Sequence, residues 1–384
     1  MNSGGARAVA AHGSPDAPAV GTPGGAEHAR KARRYARLRP GDRVAVVAPS
    51  GPADPARLEA GCAVLRDLGL DVVVGKHALD RVNLGPAGPV RGDWHRLAGT
   101  DADRAADLQA AWCDPRVRAV VCARGGYGAT RVLDRLDWDA LRAATEASAA
   151  TGGGPKILHG SSDITALHGA FGTRLRITTS FGPMPAGVIA DLDPAAPDAS
   201  LESLRTALFG GAAASSAASS GSAPAVLPGT RTLRPGRAEG PLTGGTLSLL
   251  AAVLGTPYAP PPAAGRVVFL EDVTEAPYRI DRMLVQLLQA GWFDGAAGFA
   301  LGSWKDCGDP AELDAVFAAR LGPLGVPILA GLSAGHGPHQ HTLELGAPAA
   351  LHAPAPPGHD PAHPHPAVPD TGALTLEAPP GGAR

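Results

Sequence analysis

This sequence has few aromatic residues, no surplus of either charge and no long apolar run. Aromatics make up 4% of its 384 residues, so alanine and other small apolar side chains must fill much of the core. The formal net charge is −2, a balance that indicates neither nucleic acid nor an anionic membrane as a partner. No apolar run approaches the roughly 20 residues of a membrane helix. We therefore expect a globular protein that binds neither membranes nor nucleic acids.

Cysteine is equally scarce, and its spacing argues against a disulfide framework. The four cysteines are Cys62, Cys113, Cys122 and Cys307, without a CxxC pair among them. Each lies in or beside an apolar segment, which favours reduced, buried thiols over a disulfide or a zinc site. The N-terminal region also has no hydrophobic segment ahead of its basic cluster, which argues against an export signal. The predicted location is the cytoplasm, and no metal or cofactor is expected.

The chain does contain apolar strands that alternate with helices. The strands predicted at 43–48, 71–74 and 118–123 are almost wholly apolar, as in a buried parallel sheet. Asp54 and Thr100 precede two of the helices as capping residues. Later strands are predicted at 176–179, 266–270, 298–302 and 327–330, with a final pair near 342–351.

An Ala/Ser/Gly/Pro-rich stretch divides this pattern into two predicted α/β domains. The first has a mostly parallel sheet with flanking helices. The predicted boundaries, in chain order, are a disordered arm at 1–37, an N-terminal α/β domain at 38–208, a flexible linker at 209–236, a C-terminal α/β domain at 237–352 and a disordered tail at 353–384.

One strand–turn–helix, at residues 156–165, has the pattern of a nucleophile elbow. A short apolar strand runs into Gly160, and Ser162 then lies at a polar pivot before a helix begins. A small residue two positions before the serine lets strand and helix approach, and Gly160 supplies it. On this motif alone an N-cap role is the simpler reading, because Ile164 replaces the usual second glycine.

A serine nucleophile needs a base and an acid that orients the base. Glu271 follows the predicted strand 266–270, and His336 lies in a glycine-flanked loop after the predicted strand 327–330. Both fall at the carboxyl ends of strands, where open α/β sheets place their sites. The order serine, glutamate, histidine is that of many α/β hydrolases. Taken singly, a glutamate at a strand end and a loop histidine are more often merely solvated.

Backbone groups near the serine could stabilise an oxyanion. The candidates are the N–H of Asp163, at a helix start, and the N–H groups of Gly125 and Gly126. A substrate carboxylate would also need a cation, for which Arg124 and Arg279 are the candidates. The same loop and helix start could instead hold an anion in a binding module without catalytic activity.

Several short segments together resemble the LD-carboxypeptidase family of serine peptidases, which includes muramoyl-tetrapeptide carboxypeptidases and microcin C immunity peptidases. The resemblance runs from about Leu38 to Leu351. Its segments are 46–52 (VVAPSGP), 97–101 (LAGTD), 124–128 (RGGYG), 160–165 (GSSDIT), 182–184 (GPM), 270–272 (LED) and 335–336 (GH).

The resemblance implies a triad of Ser162, Glu271 and His336, without metal or cofactor, in a site between the two domains. It also implies a homodimer. For the muramoyl-tetrapeptide branch it implies release of the terminal D-alanine from a muropeptide during peptidoglycan recycling. The microcin branch, which hydrolyses peptidyl-nucleotide amides, stays open as an alternative. One departure is Thr246, where the family often has asparagine.

Overall fold

The structure is a computed structural model that describes residues 32–83, 96–150, 154–210, 225–355 and 372–376. The strands are β1 (Arg43–Val47), β2 (Asp71–Val74), β3 (Val82–Asn83), β4 (Arg96–Leu97), β5 (Val117–Cys122), β6 (Ile157–Gly160), β7 (Thr179–Phe181), β8 (Ala225–Pro228), β9 (Arg231–Arg234), β10 (Gly236–Thr246), β11 (Val267–Val273), β12 (Gly298–Lys305), β13 (Ile328–Ala330), β14 (Leu343–Leu345), β15 (Pro348–Ala353) and β16 (Ala373–Leu376). The helices are α1 (Pro55–Asp67), α2 (Asp101–Cys113), α3 (Ala129–Val132), α4 (Trp138–Ala150), α5 (Thr165–Arg174), α6 (Ala199–Phe209), α7 (Leu247–Val253), α8 (Pro277–Gln289) and α9 (Pro310–Leu321).

The first large sheet has the strand order β14-β7-β6-β5-β1-β2 and is parallel except for β14. Strands β1, β5 and β6 are buried along almost their whole length, which explains their apolar sequences. β2 lies on one side of β1 and the later strands lie on the other. The loops that follow β1 and β5 therefore meet at a switch point, where open α/β sheets leave a crevice.

The second large sheet has the order β8-β16-β15-β10-β11-β12-β13-β9. Its centre, from β10 to β13, is parallel, and the flanking strands β15 and β9 are antiparallel to their neighbours. Helices α7, α8 and α9 contribute to the apolar cluster that covers one face. The two sheets with their helices confirm the predicted α/β fold with two domains, the first built on a mostly parallel sheet.

The structure differs from the predicted boundaries at the linker and the tail. Strands β8 and β9 lie in the part predicted as linker, and β16 lies in the part predicted as a disordered tail. Each is only four residues long and finds its partner far away in sequence. Such short outer strands have no local periodicity that could reveal them. Residues 211–224 of the predicted linker lie outside the described residues.

Two further predictions fail at strand ends. The predicted final strand pair is wrong, because β14 pairs with β7 in the first sheet and β15 pairs with β10 in the second. The strand predicted at 176–179 is displaced, since Arg176 has a φ of 54° and the strand begins at Thr179.

Order also begins before Leu38: Tyr35, within the predicted arm, is only 4% exposed.

In the described part of the chain, no helix is both long and apolar enough to cross a bilayer. All four cysteines are free, and Cys113 is the least buried of them.

Candidate active site

The turn at Ser162 has the backbone of a nucleophile elbow. β6 ends at Gly160, and Ser162 takes a φ of 61°, a left-handed conformation that non-glycine residues rarely adopt outside strained, functional turns. A Cβ on Gly160 would lie 3.0 Å from Cγ1 of Ile164 and 3.1 Å from Cβ of Cys122. The close approach of strand and helix therefore needs glycine at this position, and it leaves Ser162 partly exposed at the tip.

Residues 124–128, the glycine loop, lie directly against this serine. A Cβ on Gly125 would come within 2.7 Å of Ser162 Cβ, 2.9 Å of its Oγ and 3.3 Å of the backbone nitrogen of Asp163. Gly126 follows with a φ of 108°. The fold thus places Gly125 close to the serine hydroxyl and to the Asp163 nitrogen, and a role of these N–H groups as oxyanion donors requires such proximity. Their role as donors stays a prediction.

Glu271 and His336 meet in the second domain. The Glu271 side chain is fully buried, and its Oε2 accepts hydrogen bonds from His336 Nδ1 at 2.6 Å and from the His336 backbone N–H at 3.1 Å. Glu271 lies inside β11, not after a strand end as predicted, and the register with β12 shifts at this residue. Such an irregularity redirects a side chain out of the ladder.

Two neighbours hold this pair in place. The hydroxyl of Thr246, the last residue of β10, donates to Glu271 Oε1 at 2.5 Å. Gly335 has a φ of 99°, and a Cβ there would overlap the Glu271 carboxylate. Both carboxylate oxygens are therefore hydrogen-bonded, as a buried charge requires.

The charge of Glu271 sets the protonation of His336. Burial disfavours the imidazolium, but the hydrogen bond and charge of Glu271 outweigh burial and raise the pKa of His336 above its usual value. With Nδ1 donating to Glu271, Nε2 carries the lone pair of the neutral ring. The side chain is 22% exposed, so the imidazole is partly open to solvent.

The nucleophile turn and the Glu271–His336 pair meet where β10 reaches α5. The turn at 162–164 contacts β10, and the backbone N–H of Thr246 donates to Thr165 Oγ1 at 3.1 Å. Thr246 thus contacts the helix that follows Ser162 with its backbone and contacts Glu271 with its side chain. Among the described residues, no hydrogen bond joins the Ser162 hydroxyl to His336.

The two candidate cations differ in their surroundings. Arg124 is exposed on the glycine loop and donates to the carbonyl of Pro52 at 3.2 Å. Arg279, on the first turn of α8, pairs with Glu275 at 2.7 Å. Neither has a hydrogen bond or ion pair with Ser162 or His336 within the described ranges, and both stay predictions.

No metal-binding group of three or more His, Cys, Asp or Glu side chains occurs in the parts of the chain that the structure describes. His341 near the site is held by the carbonyl of Ser333 at 2.8 Å.

Sequence reasoning missed three polar side chains beneath the site. The Asp163 carboxylate is buried and accepts from Ser50, while Arg104 is almost fully buried near it. Burial and the hydrogen bonds oppose each other at Asp163, and burial dominates, so the pKa of its carboxyl is raised. The sequence predicts a role only for the backbone N–H of Asp163, Ser50 enters only as part of the family segment 46–52, and no motif marks Arg104.

Two family profiles match the chain. The profile described as LD-carboxypeptidase N-terminal domain matches residues 44–182, and the one described as LD-carboxypeptidase C-terminal domain matches residues 239–351. The first match contains the serine turn and the second contains Glu271 and His336.

Individual relatives agree with the profiles. A Streptomyces coelicolor protein provisionally named carboxypeptidase is 49% identical over 91% of this chain and 98% of its own length. The murein tetrapeptide carboxypeptidase of Pseudomonas aeruginosa is 33% identical over 80% of this chain and 92% of its own. The microcin C7 self-immunity protein MccF of Escherichia coli is 26% identical over 67% and 78%.

Solved structures share the fold. A MccF-like protein from Bacillus anthracis superposes with a TM-score of 0.70 at 21% identity, covering 90% of this chain and 99% of that one. The muramoyltetrapeptide carboxypeptidase of Oxalobacter formigenes gives 0.66 at 24% identity, covering 88% and 99%. From the two profiles and the relatives together, the chain belongs to the LD-carboxypeptidase family.

Proposed function

We propose that this protein is a serine carboxypeptidase that releases the terminal D-alanine of muropeptide tetrapeptides, at a bond between an L-configured centre and a D residue. The observation that carries the proposal is the buried Glu271 carboxylate bound to Nδ1 of a partly exposed histidine. This arrangement fixes the imidazole tautomer and stabilises the imidazolium, the task of the acid in a serine hydrolase.

In the proposed reaction, Ser162 Oγ attacks the carbonyl carbon of the terminal amide bond while His336 Nε2 accepts the hydroxyl proton. The negative charge that develops on the carbonyl oxygen is stabilised by the N–H groups of Asp163 and the glycine loop. His336 then returns the proton to the leaving amine of D-alanine, and the C–N bond breaks. Water, deprotonated by His336, hydrolyses the acyl-enzyme and frees Ser162.

The family relationship supports the muropeptide substrate over a peptidyl-nucleotide. The murein tetrapeptide relative is 33% identical and is matched over 92% of its length, whereas the microcin immunity relative is 26% identical and matched over 78%. A peptidase that recycles cell wall acts on small cytoplasmic peptides, so the proposal includes a cytoplasmic location. It also includes a homodimer, which the family resemblance implies.

Mass spectrometry tests the proposal. The protein is incubated with a mixture of muropeptides and, separately, with a peptidyl-nucleotide amide. We expect tetrapeptides to lose one D-alanine with wild-type protein and to stay intact with Ser162→Ala. Cleavage of the peptidyl-nucleotide alone would assign the microcin-type activity, and ligand binding without cleavage of either would assign a binding module.

A further inference from the structure

The side chains of Asp163 and Arg104 are buried, and the proposed reaction gives neither side chain a role. Asp163 is 3% exposed and Arg104 is 1% exposed. Charged side chains are almost never buried this fully unless their polar atoms are paired or hydrogen-bonded. The groups to which these two side chains are hydrogen-bonded therefore indicate their role.

The Asp163 carboxylate holds two loops through a single oxygen. Its Oδ2 accepts a hydrogen bond from the Ser50 hydroxyl at 2.6 Å and another from the backbone N–H of Ala129 at 2.7 Å. Ser50 lies in the β1 loop (residues 48–54), and Ala129 begins α3 directly after the glycine loop. One carboxylate thus links the turn of Ser162 to both loops of the switch point.

Arg104, on α2, holds the same two loops by their carbonyl groups. Its Nη1 donates to the carbonyl of Pro49 and, at 2.8 Å, to that of Gly128. Pro49 precedes Ser50 and Gly128 precedes Ala129, so the cation and the anion bond to neighbouring residues at both junctions. We call this pair, Asp163 and Arg104, the clamp.

The clamp fixes the end of the loop that lies against the nucleophile. The glycine loop leaves β5 at one end, where the ladder holds it, and enters α3 at Gly128, where the clamp holds it. Between these ends lies Gly125, in contact distance of Ser162. Glycines have no side chains with which to anchor a backbone that must stay in one conformation.

We propose that the clamp is a positioning device that keeps the glycine loop in place as the oxyanion-binding loop beside Ser162. The inference rests on the proposed function, and it assigns Asp163 a second role. In the proposed reaction its backbone N–H stabilises the oxyanion, while its carboxylate holds the loop that supplies the other donors.

Substitutions at Asp163 separate a positioning role from a purely structural one. The side-chain carbonyl oxygen of asparagine has two lone pairs and can accept both hydrogen bonds that Oδ2 now accepts, whereas alanine has no acceptor. We expect Asp163→Ala to lower kcat for D-alanine release about 100-fold, the scale of a displaced catalytic group, with KM within about threefold of wild type. Asp163→Asn should restore most of that loss.

Arg104 provides a second, independent variant. Lysine keeps the charge but replaces the planar fork with a single ammonium. Arg104→Lys should lower kcat about 10-fold at unchanged KM. The matched control is Asp198→Asn, a carboxylate that caps α6 through Ser200 and Leu201, and it should leave kcat unchanged.

Thermal unfolding is measured for each variant, and kinetics are measured well below its Tm. If Asp163→Ala does not fold, Ser50→Ala removes one of the two donors and should still lower kcat. Wild-type kcat in the folded Asp163→Ala or Ser50→Ala protein would overturn the inference, as would an Asp163→Asn variant as slow as Asp163→Ala. Failure of the proposed function is a distinct result, because the wild-type protein itself would then release no D-alanine.

Discussion

The two halves of the candidate site are organised differently. In the second domain, Thr246, Glu271 and His336 are joined by hydrogen bonds of 2.5 and 2.6 Å, and the carboxylate at their centre is fully buried. In the first domain, Ser162 stands in a left-handed turn, and within the described residues its hydroxyl has no hydrogen bond to His336. The proposed acid and base are already joined, whereas the proposed nucleophile is placed by the backbone of its turn.

The hydrogen bond that this structure lacks, between the Ser162 hydroxyl and His336, would join the two domains. Hydrogen bonds between nucleophile and base are often long without substrate and tighten in the complex. Changes in the second domain should therefore alter the pKa of His336. Changes in the first domain should alter reactivity and leave that pKa unaffected.

Removal of the nucleophile should have the largest effect. Ser162→Ala eliminates the attacking oxygen, so kcat for D-alanine release should fall on the order of 10⁶-fold. The second domain is untouched, so titration of His336 by NMR should give the wild-type pKa. Substantial residual activity would show that another group attacks the substrate.

Loss of the acid should come next and should shift the pH profile. Glu271→Gln removes the charge that stabilises the imidazolium, and kcat should fall about 10⁴-fold. The base acts in its neutral form, and Glu271 raises its pKa, so wild-type kcat/KM should decline below a pH that lies above 6.5, the usual value for histidine. In the variant this acid limb should move to lower pH.

The pH profile has a matched control. Glu239→Gln changes an exposed carboxylate of the same domain and should leave both kcat and the acid limb in place. A limb that stays fixed in Glu271→Gln, or that moves to higher pH, would contradict the proposed Glu271–His336 coupling.

Gly335→Ala should displace the base. A Cβ there overlaps the Glu271 carboxylate at a backbone φ of 99°, so the loop must move. We expect kcat to fall about 100-fold and the free energy of unfolding to decrease by about 2 kcal/mol. Gly337→Ala is the control, because Gly337 has no left-handed φ and its nearest contact would be the Ser303 hydroxyl at 3.2 Å, which a shift of a few tenths of an ångström relieves. Equal kinetics and denaturant midpoints in the two variants would contradict this assignment.

The smallest effect is expected at the junction of the halves. Thr246→Val removes the hydroxyl that donates to Glu271 but keeps the backbone hydrogen bond to Thr165. A hydrogen bond to a charged group contributes about 1.5 kcal/mol, so kcat should fall roughly 10-fold. Thr246→Ser keeps the hydroxyl and should stay near wild type. Steady-state kinetics of the two variants test this prediction, and equal kcat values would contradict a role for the Thr246 hydroxyl.

The sequence predicts those parts of the fold that local patterns encode. The apolar runs of β1, β5 and β6 indicate central parallel strands, and Asp54 and Thr100 cap α1 and α2 as expected, the latter with a capping box. Glu271 and His336 were expected to meet because the ends of parallel strands share one edge of a sheet, and the structure joins them.

What escapes the sequence depends on contacts between distant segments. β14 joins the first sheet although it follows the second domain's strands in sequence. Its partner β7 lies 160 residues earlier or more, so no local pattern reveals the pairing. The clamp cannot be predicted from the sequence either, since Arg104 donates to backbone carbonyl groups and every residue has one. The sequence marks Thr246 only as a departure from the family, because its hydrogen bond to Glu271 depends on the β10–β11 register.

The central claim is that residues of two domains act as one catalytic unit. A double-mutant cycle tests it most directly, with kcat/KM for D-alanine release measured in wild type, Ser162→Ala, His336→Ala and the double variant. If Ser162 and His336 act together, the double variant is no slower than either single one. Losses that multiply, so that the double variant falls by the product of the two single effects, would contradict the account.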